Sequence, residues 1–327
     1  MRRSQFVRVL LTGATGFLGG ELVDAFLARG WSVRAFVRAT SRVESLEARG
    51  VEVVRGSFAR LETLADAVRD TDAVVHAAGG GIVRRAEDFE RSNVATTKQL
   101  LAGVRAAGGT KRFVLVSSLA AHGPSSPDRP AREDDRDAPR SLYGKSKLAA
   151  ERAVHAERFP VTIVRPPALY GPGEHRLVPL FRAALRGVVP TVHPTGTLSM
   201  LSGRDCAEAI ARVLEVEPEA RTLFLAEPRT YGRREMVELV GAAVERRVRV
   251  VPVPVPVLRA AALGSELGSR LRDAPVAFTR DKVHDLVAPH QCCDPSRAME
   301  ELFWGPRDDF ATGAREMARA YRAKGWL

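Results

Sequence analysis

Lysine is scarce in this chain of 327 residues: six (Lys98, Lys111, Lys145, Lys147, Lys282 and Lys324) stand against 44 arginines. Cysteine is scarcer still, aromatic residues make up only 6%, and no long hydrophobic run occurs. Three cysteines, Cys206 and the adjacent pair Cys292 and Cys293, neither build a disulfide framework nor match zinc-ligand spacing, so no metal site and free thiols in a reducing compartment are expected. The most apolar late stretch, 250–258, is broken by prolines at 252, 254 and 256. It is far shorter than the ~20 residues of a spanning helix. With no signal-peptide core behind Met1, a cytoplasmic protein without a membrane span is the expectation.

What is present fits a folded, soluble chain. A 45% hydrophobic and 27% charged composition excludes disorder and collagen, and the length allows one large or two modest domains. The formal charge of +11 invites a polyanion partner. The cations are dispersed, however, with no run of five or more, which reads as a solvated arginine surface and not as a nucleic-acid groove.

Short β-branched runs at 6–11, 32–37, 51–55, 73–77, 112–117 and 161–165 alternate with segments long enough for helices. That order predicts an α/β fold, a doubly wound parallel sheet of Rossmann type. A dinucleotide-binding core is expected over 1–165. Residues 166–327 form a smaller C-terminal, mainly substrate-binding lobe, with the segment near 205–226 returning to the core. Helices are expected at 142–158, 205–216, 233–246 and 308–323, and Asp128 to Pro139 reads as a surface loop.

The first strand runs into Thr12-Gly13-Ala14-Thr15-Gly16-Phe17-Leu18-Gly19 and then a helical segment. Glycine permits the tight turn and a close backbone approach to pyrophosphate, and the helix N-terminus offers unpaired N–H groups. In this strand–loop–helix setting the pattern points to a dinucleotide site. An NAD-preferring site places Asp or Glu about 20 residues further on, at the end of the second strand. Arg38 stands there, with Arg34 and Arg42 nearby, and a guanidinium suits the 2′-phosphate of NADP. NADP is therefore expected, with NAD the alternative.

Further along, Tyr143 and Lys147 are i and i+4 on one helix face, about 6 Å apart. A neighbouring ammonium favours the phenolate and is expected to bring its pKa down towards the working range. Lys145 points elsewhere. Ser117 and Ser118 end the strand 25 residues upstream.

Taken in order, these elements resemble the extended short-chain dehydrogenase/reductases, also called the NAD-dependent epimerase/dehydratase superfamily. The motifs are the loop at 12–19, Val75-His76-Ala77-Ala78, Asn93-Val94-Ala95-Thr96-Thr97, Ser118, YxxxK at 143–147, and Arg165-Pro166 followed by Tyr170-Gly171-Pro172-Gly173. The resemblance implies that Ser118, Tyr143 and Lys147 are catalytic: Tyr143 as general acid in carbonyl reduction, Lys147 holding the nicotinamide ribose, Ser118 bonding the substrate oxygen. It also implies cofactor contacts from Gly13, Thr15, Gly16, Phe17, Leu18, Gly19, Arg38, Ser57, Ala77, Ala78, Asn93, Tyr143, Lys147 and Pro166. His76 and Asn93 equally suit bracing the loops around the cofactor. At Ser57 the family usually has an Asp that contacts adenine.

What is missing narrows the reaction. The Thr-Asp-Glu triplet that dehydratases of this family carry is replaced by Ser118-Leu119-Ala120, and Pro166-Pro167-Ala168-Leu169 lacks the asparagine usual in nucleotide-sugar epimerases. By resemblance the branch is that of dihydroflavonol reductases and 3β-hydroxysteroid dehydrogenases, with a small apolar or aromatic carbonyl substrate. Pro167, Leu169, Val178, Leu180 and Phe181 then either line the mouth of the site or pack the lobe. Asp205 is expected to cap a helix, Cys206 to lie in the core, and Trp326 to dock the C-terminus. A nucleotide-sugar epimerase with bound NAD, and a cofactor-sensing binding protein without turnover, are the competing readings. Helices 90–107 and 142–158 often pair in relatives, which allows a homodimer by analogy.

Overall fold

The β-branched runs form the sheet in which they are expected. A computed structural model describes residues 7–80, 88–110, 112–126, 128–216, 218, 221–272 and 279–327. In it β1 (Arg8–Thr12), β2 (Ser32–Val37), β3 (Glu52–Arg55), β4 (Ala73–His76), β5 (Arg112–Val116) and β6 (Val161–Arg165) all pair in parallel. The seventh strand, Thr222–Phe224, returns from the second half of the chain and pairs with β6. The order is Thr222–Phe224, β6, β5, β4, β1, β2, β3. Chain direction across the sheet therefore reverses between β1 and β4, and the crevice beyond their C-terminal ends is where such sheets bind ligands. Burial on both faces explains why the inner strands read as continuous apolar runs, while the edge strand β3 is exposed at both ends.

Successive residues of each strand serve opposite layers. Val9, Leu11 and Val75 face α1 (Phe17–Leu27) and the helix Gly203–Val216, through Leu22, Phe26, Cys206 and Ile210. Leu10, Val74 and Phe113 face α3 (Leu61–Val68), α4 (Thr96–Ala106) and α5 (Leu142–His155) on the other side; α2 (Glu44–Glu47) is a single turn. Asp205 does not itself cap the helix it opens. Ser202 Oγ accepts from Asp205 N at 2.9 Å, and the Asp205 carboxylate instead accepts from the backbone N–H groups of Arg307 and Asp308.

The second core lies in the C-terminal half, where Thr197–Ser202 pairs with Ala168–Tyr170, Thr230–Gly232 and His290–Gln291. Its centre holds Phe181, Tyr321, Phe310, Met317 and Val240. Val178 and Phe181 are buried there and Leu180 packs against it, so these residues build the lobe and do not line an open mouth. Trp326 stacks on Tyr321, and its carbonyl accepts from Arg182 Nε at 2.9 Å. All three cysteines are free and buried, and burial pushes the thiols of Cys206 and Cys293 well up. Among the described residues no helix is long and apolar enough to cross a membrane, and no group of three or more His, Cys, Asp or Glu residues could hold a metal.

Candidate active site

The glycine loop is pressed against the end of β4. Gly13 has φ +81°, and a β-carbon on it would sit 2.7 Å from the Ala77 carbonyl; one on Gly19 would sit 2.1 Å from the Gly13 oxygen. Only glycine fits either position, so Gly13-Ala14-Thr15-Gly16 lies flat beside Ala77 and Ala78. Thr15 and Gly16 are exposed. The first turn of α1 has no side-chain cap and no acidic residue, so its N–H groups point outward unsatisfied by side chains. A dinucleotide pyrophosphate fits this cradle by charge and by shape. Phe17 faces the other way: β-carbons at Gly171 and Gly203 would meet its ring at 3.0 and 2.5 Å, wedging it between the loop and the lobe.

A buried chain of hydrogen bonds holds this arrangement. Thr97 Oγ1 donates to the Asn93 carbonyl at 2.6 Å, so it must accept from His76 Nε2 at 3.1 Å. His76 Nδ1 is then left to accept from Thr12 Oγ1 at 2.7 Å, and Thr12 Oγ1 accepts from Ala78 N at 3.2 Å. Complete burial, reinforced by the Lys147 charge, pushes the His76 pKa down to about 3, which keeps the ring neutral. Asn93 Oδ1 accepts from Gly80 N and its Nδ2 donates to Ser146 Oγ at 2.9 Å. His76 and Asn93 thus brace loops in this structure.

Serine and tyrosine come together because α5 lies close on the turn after β5. A β-carbon at Gly144 would be 2.3 Å from the Ala120 carbonyl. Ser118 is extended, opens the turn Leu119–Ala121 and accepts from Ala120 N at 3.2 Å; Leu119 N is held by the Pro166 carbonyl at 2.8 Å. The Ser118 hydroxyl faces the Tyr143 phenol, whose ring packs on Phe89 at 5.7 Å between centroids. One turn on, buried Lys147 donates from Nζ to the Val116 carbonyl at 3.0 Å. Burial lowers its pKa to about 8, against an upward pull from Glu151. The phenol itself is raised above its usual value by burial, with Ser118 and then Arg176 pulling it back. The expected lowering does not occur: desolvation of the phenol sets the direction, and the charges that act on it are those of Arg176 and Asp285. Tyr143 therefore carries its proton at neutral pH, as a proton donor must.

The arrangement sets a glycine cradle beside a Ser–Tyr–Lys cluster. The model of the NAD dependent epimerase/dehydratase family matches residues 9–224, two thirds of the chain. The chain belongs to that family. It is 32% identical over 322 residues to the ceramide reductase of Caulobacter vibrioides, covering 98% of this chain and 96% of that one. To the 2-alkyl-3-oxoalkanoate reductase of Stenotrophomonas maltophilia it is 31% identical, covering 95% and 98%. The structure of dTDP-glucose 4,6-dehydratase from Bacillus anthracis with NAD superposes with a TM-score of 0.77 at 20% identity, covering 98% of both chains. This epimerase/dehydratase-family member is an NAD(P)-dependent enzyme of the short-chain dehydrogenase/reductase type.

Around this family's Tyr–Lys pair the structure adds residues that local spacing does not reveal. Glu151, fully buried one turn beyond Lys147, accepts from Arg165 Nε at 3.0 Å and Nη2 at 2.6 Å, and from Ser117 Oγ. Arg165 also grips Asp137 at 2.7 and 2.8 Å and lies over the Phe224 ring. Asp281, from a distant part of the chain, accepts from Leu142 N at 2.6 Å and Tyr143 N at 3.3 Å, and so caps α5 with a carboxylate. Repeating the four-residue step from Lys147 finds Glu151 in the sequence; no such signal marks Asp281. At the cofactor end, Arg34 is used by Glu52 and by the carbonyls of Ala67 and Arg69. Arg38 and Arg42 are exposed. Arg55 braces their loop through the carbonyls of Ala39 and Ser41, and Ser57 Oγ accepts from Ala59 N at 3.2 Å.

Proposed function

We propose that this enzyme is an NADP-preferring carbonyl reductase for a small-molecule ketone that carries apolar alkyl groups. The observation that carries the reading is the Ser118–Tyr143 hydroxyl pair above buried Lys147, at the C-terminal edge of the sheet beside the glycine cradle. When bound, the nicotinamide supplies hydride to the carbonyl carbon. Gly13, Thr15, Gly16, Phe17, Leu18 and Gly19 hold the pyrophosphate, and Ala77, Ala78, Asn93 and Pro166 border the dinucleotide. Ser57 lies where adenine would pack. Ser118 donates a hydrogen bond to the substrate oxygen, and Tyr143, protonated by virtue of its burial, gives that oxygen its proton. Lys147, fixed at the Val116 carbonyl, orients the ribose and keeps positive charge below the phenol.

Residues 1–165 then bind the dinucleotide and 166–327 mainly the substrate, with 205–226 serving the core. Preference for NADP rests on Arg38: it stands exposed at the end of β2, and among the described residues its side chain has no hydrogen bond or ion pair. The alkyl-ketone class is supported by the two reductases that match over nearly their whole length, named for ceramide and for 2-alkyl-3-oxoalkanoates. Titration of NADPH and NADH against the wild type and Arg38→Ala tests the cofactor. A preference for NADPH of roughly tenfold or more, lost in the variant, is expected for one charge-assisted contact. Equal binding of the two in the wild type refutes it.

A further inference from the structure

The longest helix among the described residues, Val255–Arg272, turns an apolar face to solvent. Val257, Leu263 and Leu267 are 57%, 43% and 50% exposed. Pro256, Ala260, Ala261 and Gly264 lie exposed between them, and a β-carbon on Gly264 would meet nothing. At 100° per residue all these positions fall on one side, while Ala262, on the opposite side, is buried. Elsewhere the large apolar side chains of the described residues are mostly inside, so this stripe is a feature and not a sampling of ordinary surface.

Its place in the fold links it to the catalytic helix. Glu266, on the buried flank, accepts from Arg280 N at 2.7 Å and from Arg280 Nε at 2.9 Å, which ties the helix to the next one, Arg280–Leu286. That second helix supplies Asp281, which caps α5 at Leu142 and Tyr143. Leu142 is itself 45% exposed. The exposed charges on this helix and on the two helical segments tied to it are mainly basic, Lys282 among them also pairing with Asp285 at 3.9 Å. Arg259, Arg140, Lys145 and Lys282 are exposed, whereas Glu266 is held by Arg280 and Asp281 by the α5 N-terminus. The sequence of the long helix has three arginines against that one glutamate, in a chain of net charge +11.

We infer that this helix face docks on an anionic lipid bilayer, its apolar side chains entering the headgroup boundary and the flanking arginines and lysines meeting lipid phosphates. An apolar stripe rimmed by cations is the chemistry of an interfacial helix that lies on a membrane without spanning it. A second copy of the chain fits less well. Four half-exposed side chains offer far less than the roughly 800 Å² per partner of a stable dimer, and like-charged rims would face each other. Docking brings the helix that carries Tyr143 next to the phase in which an alkyl ketone resides. That consequence rests on the function proposed above; the binding does not.

The test is sedimentation of the full chain with vesicles of equal parts phosphatidylglycerol and phosphatidylcholine, and with phosphatidylcholine alone. Binding to the anionic vesicles is expected, weakened by salt, with little on the neutral ones. Leu263→Asp with Leu267→Asp should weaken it by roughly tenfold or more, since each leucine gives up a buried apolar side chain. Thermal unfolding and NADPH binding of that double variant should match the wild type, which separates this test from any failure of the catalytic reading. Absence of binding to anionic vesicles, equal binding by the double variant, or a dimer that the double variant dissociates, would each overturn the inference.

Discussion

Replacing Glu151 by Gln removes a buried negative charge without removing bulk, and the structure says where the effect goes. In the wild type the Glu151 carboxylate accepts from Arg165 and Ser117 and raises the pKa of Lys147, which burial has lowered to about 8. Breaking a buried ion pair costs about 3–5 kcal/mol, and Arg165 keeps its paired bonds to Asp137, so the low end, about 3 kcal/mol, applies. For 327 residues the unfolding entropy is about 0.7 kcal/mol/K, so the melting temperature should fall by about 4 °C. The electrostatic effect is separate. Loss of the carboxylate's attraction removes the upward pull on Lys147 and takes its pKa below the wild-type value of about 8. In the proposed role Lys147 is charged, so its contribution is present below its pKa and lost above it. The alkaline limb of kcat/KM for ketone reduction should therefore move towards acid, and a movement of about one pH unit from about 8 lowers kcat/KM at pH 7.5 about threefold. Glu151→Asp should restore most of the limb. A pH profile of Glu151→Gln that superposes on the wild type, with only the melting temperature lowered, would refute the link between this carboxylate and the active lysine.

Acid should destabilise the fold through His76. Its folded pKa of about 3 lies below the ordinary 6.5, so the unfolded chain takes up a proton first as pH falls, and stability present above pH 6.5 is lost below it. By pH 4.5 the loss is about 2.7 kcal/mol, and melting curves of His76→Gln should show a shallower fall over that interval than the wild type. Gly13→Ala places a β-carbon 2.7 Å from the Ala77 carbonyl at φ +81°, so a cost of about 1–3 kcal/mol in stability and at least tenfold in NADPH binding is expected by calorimetry. Arg38→Ala, by contrast, touches nothing internal and should change cofactor choice with unfolding unaltered within about 0.5 kcal/mol.

Parts of the fold built from one strand or one turn are legible in the sequence. A parallel sheet covered on both faces gives unbroken β-branched runs, so the six strands of the first half stand within one or two residues of their expected bounds. The glycine loop and the Tyr143–Lys147 pair are equally legible, since each lies on a single turn whose geometry fixes who meets whom. The scarcity of tyrosine helps: three of the four, Tyr170, Tyr231 and Tyr321, are buried at 1%, 1% and 0% exposure, and Tyr143 alone lies at the cleft. Contacts that close over long separations leave no local trace. Asp281 reaches Tyr143 across 138 residues, and Asp137 meets Glu151 only through Arg165, which comes from a strand. Phe181 and Val178 show the limit from the other side, because apolar character alone suits a cleft and a core equally. The phenol is a further case: helical spacing shows the ammonium one turn away but not the burial that raises the phenol's pKa.

The central claim is that Tyr143 gives its proton to a ketone reduced by a nicotinamide cofactor. It is tested most directly by single-turnover reduction of a 2-alkyl-3-oxoalkanoate with NADPH carrying deuterium at both C4 positions, by the wild type and Tyr143→Phe. The wild type should place the deuterium on the carbinol carbon. Tyr143→Phe should bind NADPH with unchanged affinity and turn over roughly 10²- to 10⁴-fold more slowly. Turnover by Tyr143→Phe within tenfold of the wild type, or unlabelled product from the wild type, would contradict the account.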